Sequence, residues 1–263
     1  MTDTTRQYWE KRAKEAAENP NATTDDVYLR ELEIRTILEI IQQFRLTSPS
    51  FILDLGCGDG FSTTRIAEQL AGPSFVGVDF SENMIITAKR RLEAFPSLKG
   101  RLEFRIGEAN VVAQMFGARV ADVIITDRCL INLETPDKQY DVIRQIQTVL
   151  KDGGHYVAVE NFVEGHDEMN RTRASIGLKE IPVRWHNLFF KESEFLKQTG
   201  RLFKTVQIVN FSSAYYYATR VIYSKYCDMR GEKPDYQHEI HKLAVHLPPM
   251  GSFSPIRLAI LTK

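Results

Sequence analysis

The stretch FILDLGCGDGFSTTRIAEQL, residues 51–70, decides how the rest of the chain is read. Its first five residues are an apolar run with no polar alternation, the pattern of a strand buried on both faces of a sheet. The glycine-rich turn Gly56-Cys-Gly-Asp-Gly60 follows, and Phe61 to Leu70 then reads as a helix. A second unit of the same kind comes next. Phe75-Val-Gly-Val-Asp79 is another buried strand, and Ser81 caps a helix to about Ala94 with Met84, Ile85, Ala88 and Leu92 on one face.

Further strands are expected at Leu102–Ile106, Val120–Thr126 and His155–Asn161, with an amphipathic helix over 137–150 closed by Lys151-Asp-Gly-Gly154. Strands alternating with helices over more than a hundred residues imply right-handed crossovers and a mostly parallel, doubly wound, Rossmann-like α/β sheet. After Asn161 the pattern loosens. A loop or helical insertion (162–190) precedes a helix near Lys191–Gln198, a strand at Lys204–Asn210 and a helical pattern from Tyr215 to Met229. Ile256 to Lys263 makes a seventh strand, reached through a long connection, which suits an antiparallel partner better than another crossover. Upstream, a charged helix spans roughly Thr5 to Glu18, and the turn Asn19-Pro20-Asn21 ends it. Thr24 or Asp25 would cap a second helix with Leu29, Leu32, Ile37, Leu38 and Ile41 on its apolar face. The expected organisation is a helical cap or lid over residues 1–48, then one domain over 49–263 with insertions at about 162–190 and 214–254.

Composition narrows the function classes. The 263 residues include 34 basic and 34 acidic side chains, so the chain lacks the positive footprint of a dedicated nucleic-acid binder. With 43% apolar and 26% charged residues it has the make-up of an ordinary globular protein. No apolar run approaches the ~20 residues of a membrane span, and the polar segment from Met1 to Pro20 has no secretory apolar core. Three scattered cysteines (Cys57, Cys129, Cys227) make neither a disulfide framework nor a zinc site, so the expected setting is cytoplasmic.

Ligands of such sheets bind beyond the carboxyl ends of the strands. A dinucleotide fingerprint would need glycine at 56, 58 and 61, and position 61 is Phe61, which argues against a pyrophosphate seat. Asp79 ends strand two, where a carboxylate accepts both hydroxyls of a ribose. A glycine turn with a ribose acid and no phosphate seat describes a nucleoside without phosphate. Together, FILDLGCGDGFSTTRIAEQL and FVGVDFSENMIITAKRRL (75–92) resemble the class I S-adenosylmethionine-dependent methyltransferases, over roughly residues 50–160.

That resemblance implies S-adenosylmethionine as cofactor, and it assigns positions. Asp54, Gly56, Cys57, Gly58 and Gly60 would lie beside its methionine part, Asp79 and Phe80 at the ribose, and Met84 on the adenine. Glu108 and Ala109 would meet the adenine edge, Glu108 being one methylene longer than the family's usual Asp. Asp127, in Thr126-Asp127-Arg128, would face the transferred methyl. The Asn-Pro-Pro-Tyr type of motif used on amide or adenine nitrogen is absent, which argues against nucleic-acid base methylation.

Methyl transfer is an in-line displacement, so the chain must align a nucleophile and exclude water. A hydroxyl acceptor also profits from a general base. His186, in Arg184-Trp185-His186-Asn187, is the first candidate, with Glu160 and Asn161 ending strand five at the right edge; His155 begins that strand, at the wrong edge. Arg128, Asn132, Trp185, Asn187 and Tyr216 are candidate acceptor contacts. Arg171, Arg173, Lys179 and Arg184 would either grip an anionic acceptor or form a solvated basic face. Of Tyr215-Tyr216-Tyr217, one ring is expected in the core and one in the pocket. His238, His241 and His246 lack a third ligand at a diagnostic spacing, so no metal is expected. Arg30 would pair with the cofactor's carboxylate or, on a solvated face, with Glu33. Tyr8 and Trp9, large aromatics on a polar segment, suggest a lid that docks over bound cofactor. The expectation is methylation of a small molecule at a hydroxyl of a sugar or secondary metabolite. An N-methyltransferase, a protein or RNA methyltransferase and a cofactor-binding protein without turnover remain as alternatives, and the oligomeric state, a homodimer included, stays open.

Overall fold

In the computed structural model, which describes residues 3–15 and 24–263, one seven-stranded sheet runs in the order β3-β2-β1-β4-β5-β7-β6. Its strands are β1 (Phe51–Leu55), β2 (Ser74–Asp79), β3 (Leu102–Ile106), β4 (Ala121–Asp127), β5 (Leu150–Asn161), β6 (Thr205–Val209) and β7 (Ile256–Thr262). β1 to β5 pair in parallel, while β7 runs antiparallel to both β5 and β6. The expected strand at 155–161 starts five residues earlier, because Leu150 already lies opposite Ala121; residues 151–154 bulge out before pairing resumes with His155 opposite Val123. The expected turn at Asn19-Pro20-Asn21 lies outside the described residues.

Burial explains why the strand runs carry no polar alternation. Ile52 and Leu53 point to opposite faces, and both are fully buried. One face packs α2 (Val27–Gln43), α3 (Phe61–Gln69) and α4 (Glu82–Glu93) onto Ile52, Phe75, Val123 and Val157. The other packs α5 (Val112–Phe116), α6 (Pro136–Val149) and Phe195 of α8 (Glu192–Thr199) onto Leu53, Val76, Ile124 and Tyr156. Each fully buried Leu or Ile contributes about 1.5–3 kcal/mol. The caps follow side-chain chemistry. Ser81 accepts from the Met84 amide, as expected, but α2 is capped by Asp26, which accepts from the Leu29 amide at 3.0 Å. Thr24, one of the expected caps, instead accepts from the Asp26 amide at 3.2 Å.

The segments outside the alternating pattern gather over the carboxyl edge of the sheet. α1 (Asp3–Glu15) lies against α4. α7 (Val163–Ser175) occupies the first expected insertion, and at Gly165 it presses on the chain so closely that a Cβ there would stand 1.8 Å from the Ser254 carbonyl oxygen. The second holds α9 (Ser213–Tyr216), a π-helical stretch at Tyr217–Ile222, α10 (Tyr223–Arg230) and α11 (Glu239–Ala244). Among the described residues, no helix is long and apolar enough to cross a membrane.

Candidate active site

The carboxyl ends of β1, β2, β4 and β5 open into a cavity of about 340 Å³. Its floor is the turn after β1, where Gly56 and Gly60 sit at φ +78° and +72°, a backbone that favours glycine. A Cβ at Gly56 would meet Cys129 Sγ at 2.5 Å, and one at Gly60 would meet Ala88 and Phe104 at 2.7 Å. Gly60 is therefore a packing position and, unlike Gly56, Cys57 and Gly58, does not line the cavity. Burial pushes the Cys57 and Cys129 thiols well up, leaving both as uncharged wall.

Three carboxylates stand at this end. Asp79 accepts the Gly58 amide on one oxygen at 3.0 Å and the Ser81 amide on the other at 2.9 Å. Each oxygen has two lone pairs, so each keeps one position for a further donor, a pair that suits a vicinal diol. Burial raises its pKa to about 6 against the pull of those two amides. Asp54 is raised to about 7, again by burial, while accepting from Thr63 at 2.5 Å. Asp127 is also raised by burial, and its Oδ1 has no hydrogen-bond partner among the described residues. Arg30 lines the same wall, 4.7 Å over the Phe61 ring, with Asp59, Glu33 and Asp127 acting on its charge. The surface-pair reading of Arg30 is corrected, since Arg30 and Glu33 are both buried and Glu33 accepts from Arg128 at 3.0 Å. Burial works against the Arg128 charge, but Glu33 and Asp127 more than offset it.

Phe80, Met84, Glu108 and Ala109 line the adjoining wall. α1 covers it. Arg6 pairs with Glu108 and stacks 4.9 Å over Phe80, while Ala13 and Trp9 pack on Met84. Farther along α1, Trp9 donates to Asn132 Oδ1 at 3.1 Å, and the Tyr8 ring stacks on His186 at 4.5 Å. Both aromatics flagged in the sequence are thus seated on the site.

The far side of the cavity is lined by Arg128, Asn132, Asn161, His166, Met169, Ile181, Arg184, His186, Asn187, Phe189, Tyr216 and Arg220. Asn161 Oδ1, His186 Nδ1 and Asn187 Oδ1 are buried there without hydrogen-bond partners among the described residues. Burial, then the Arg184 charge, lowers the His186 pKa, so the ring is neutral at pH 7. Of the tyrosine triplet, Tyr215 is core, Tyr216 is cavity wall and Tyr217 is half-exposed on Phe253.

Several candidates are placed elsewhere. Glu160 is fully buried off the cavity, where its carboxylate accepts the amides of Cys129, Leu130 and Ile131 at 3.0–3.3 Å. Neighbouring strand residues face opposite ways, so only Asn161 of that pair can reach the cavity. Trp185 is 63% exposed and does not line the cavity, its ring standing edge-to-face with Tyr8 and His186. The basic group disperses. Arg171 pairs with Glu168 on the outside, and Arg173 is buried, donating to the carbonyls of Lys179 and Arg220; of the four only Arg184 lines the cavity. His155 stacks on Phe44 and bonds Thr262, and His241 bonds the Tyr215 hydroxyl at 2.8 Å.

Asp26, Arg220, His166 and Arg6 are among the cavity residues not singled out in the sequence. Asp26 caps α2 and holds Arg220 and the Tyr215 hydroxyl. Arg220 enters the wall from the π-helical stretch, stacked on Tyr216 and Tyr236. His166 lies one turn before Asn170 on α7, and Arg6 is one turn before Trp9 and Glu10. Only the Ser/Thr/Asp run before α2 carried a local signal, and it favoured the wrong member.

The sequence model of a family described as "Methyltransferase domain" matches residues 46–203. A demethylmenaquinone methyltransferase of Lactococcus lactis subsp. lactis (strain IL1403) is 40% identical over 111 residues, 41% of each chain, so the chain spans well under half the length of that curated relative. Among solved structures, the plantazolicin methyltransferase BamL with a substrate analogue and S-adenosylhomocysteine superimposes with a TM-score of 0.59 at 15% identity, covering 99% of this chain and 98% of that one. An S-adenosylmethionine-dependent methyltransferase from Archaeoglobus fulgidus gives 0.55 at 17% identity, over 89% and 94%. At these identities the structures speak for the fold.

Proposed function

The chain belongs to the class I S-adenosylmethionine-dependent methyltransferases, and from that premise we propose that it methylates a hydroxyl oxygen of a small molecule bound between the sheet edge and α1. The observation that carries this reading is the single cavity running from Asp79 to the neutral ring of His186 under the cover of α1. At about 340 Å³ it falls in the size range of small-molecule pockets.

S-adenosylmethionine, when bound, supplies a sulfonium methyl that an acceptor lone pair can attack, an O–C bond forming as the C–S bond breaks and its electron pair leaves with sulfur. The donor set fits it. Asp79 has two open acceptor positions for the ribose diol, with Phe80 alongside. Met84, Cys57 and Ala109 offer apolar wall for the adenine, and Glu108, once it releases Arg6, offers an acceptor for its amino group. Arg30 would hold the carboxylate of the methionine part, and Asp54 and Asp127 its ammonium. Gly56 and Gly58 keep the floor free of side chains, with Gly60 shaping the turn from behind.

On the acceptor side, Asn161, Asn187 and Tyr216 would orient the nucleophile and Arg128 would shape the wall, while His186 takes the hydroxyl proton. Such a base is typically worth about 10²–10⁴-fold. α1 excludes water, and Asn132 helps to seat it through Trp9. The test is release of S-adenosylhomocysteine from a panel of hydroxylated and aminated metabolites. Hydroxyl acceptors should turn over, and His186→Ala should slow them about 10²-fold or more while leaving S-adenosylhomocysteine affinity within twofold. Turnover of amines alone, or an undiminished rate in His186→Ala, would overturn the reading.

A further inference from the structure

The charges around the acceptor half of the cavity leave one cation unanswered. Arg6 is met by Glu108, Arg128 by Glu33 and Asp127, Arg220 by Asp26, and Arg30 has three acids acting on it. Arg184 lines the cavity with no ion pair among the described residues. It stands two residues before His186, on a segment that Asn170 fixes by holding both the amide and the carbonyl of Ile181, at 2.9 and 3.0 Å. The backbone that carries it is thus anchored at Ile181, and its side chain stands at the cavity wall.

That place creates a conflict. The groups facing His186 are Tyr8 and Trp9 from α1, Trp185 beside it, and the Arg184 charge; no carboxylate of the described residues acts on the ring. A base that gains a proton there becomes a cation near the Arg184 charge at the cavity mouth, and like charges repel. Nothing among the described residues relieves this, so relief must arrive with the acceptor. We propose that the acceptor is a hydroxy acid, a compact molecule whose own carboxylate is held by Arg184 while its hydroxyl faces His186. A single guanidinium meets the two oxygens of a carboxylate with two parallel hydrogen bonds. Met169, Ile181 and Phe189 provide apolar wall for the body between the two groups. The inference rests on the hydroxyl-transfer reading above and adds the class of molecule that carries the hydroxyl.

The probes are hydroxybenzoates and hydroxyphenylalkanoates, each beside its methyl ester, titrated calorimetrically into the protein saturated with S-adenosylhomocysteine. In the wild type at least one acid should bind about tenfold tighter than its ester. Arg184→Gln, at an exposed position that leaves melting unchanged, should bring each pair within about threefold. The His186 ring, followed by NMR, should titrate at higher pH when the acid is bound, and that shift should vanish in Arg184→Gln. A panel in which no acid outbinds its ester, or a preference that survives Arg184→Gln, overturns the proposal. Failure of the hydroxyl reading looks different: the acids would bind with the Arg184-dependent preference, yet only aminated analogues would be methylated.

Discussion

Replacing Asp79 by Asn removes the charge at the proposed ribose site while keeping the side chain's shape. In the native protein each carboxylate oxygen takes one backbone amide, from Gly58 and from Ser81, and offers its second lone pair to the ligand. The amide of Asn keeps one oxygen and turns an NH₂ toward the other backbone donor. One buried N–H then loses its partner, a cost of about 1–3 kcal/mol to folding. The ligand loses one hydrogen bond to a charged acceptor, about 1.5–3 kcal/mol, or roughly 10–150-fold in dissociation constant. Calorimetric titration with S-adenosylhomocysteine measures the second effect, and a denaturant midpoint measures the first. An Asp79→Asn protein that is destabilised as expected but binds within twofold of wild type would refute the reasoning, because the carboxylate would then be only a brace for the glycine turn.

The same carboxylate sets a pH dependence. Its pKa is raised to about 6 in the free protein and a diol favours the ionised form, so affinity should fall as pH drops through 6; Asp79→Asn should remove that part of the fall and leave the part that Asp54, raised to about 7, sets through the ammonium. Glu160→Gln leaves one of three loop amides without an acceptor, so it should lower melting by a few degrees while kcat at low temperature stays within about twofold. A hundredfold loss of kcat at unchanged melting would return Glu160 to the reacting atoms. Gly165→Ala puts a methyl 1.8 Å from the Ser254 oxygen and forces α7 to lift, so it should cost about 3 kcal/mol or more in denaturant unfolding. An unchanged midpoint would mean that α7 seats with slack.

Much of the framework was legible because it rests on local pattern. A strand buried on both faces has to be apolar throughout, and 51–55 and 75–79 are; the alternation with helices then implied a mostly parallel sheet with right-handed crossovers, while the strand order came from the structure. The long connection to 256–263 pointed to the antiparallel β7. That the turn after β1 and the end of β2 would border the cavity was legible for the same reason, since a strand end and a turn are fixed by sequence position. The acceptor half is built by segments that meet only in three dimensions. Glu160 and Asn161 look equivalent in the sequence, and the strand's alternation says that one of them faces away without saying which. Arg220 reaches the wall from a π-helical turn, whose extra residue shifts every following side chain off the 3.6-residue period. Arg173 looked like an anion ligand and is a buried tie between α7, Lys179 and Arg220, a role set by partners 6 and 47 residues away.

α1 touches Phe80 and Glu108 at one end of the cavity and His186 at the other, and among the described residues Ala13 and Trp9 pack it on Met84. On the proposed reading this helix is a shared gate: spent nucleoside and methylated product would leave past it, so the two departures would be tied to one mechanical event, and thickening the solvent with glycerol should slow the catalytic cycle without touching the bond-making step.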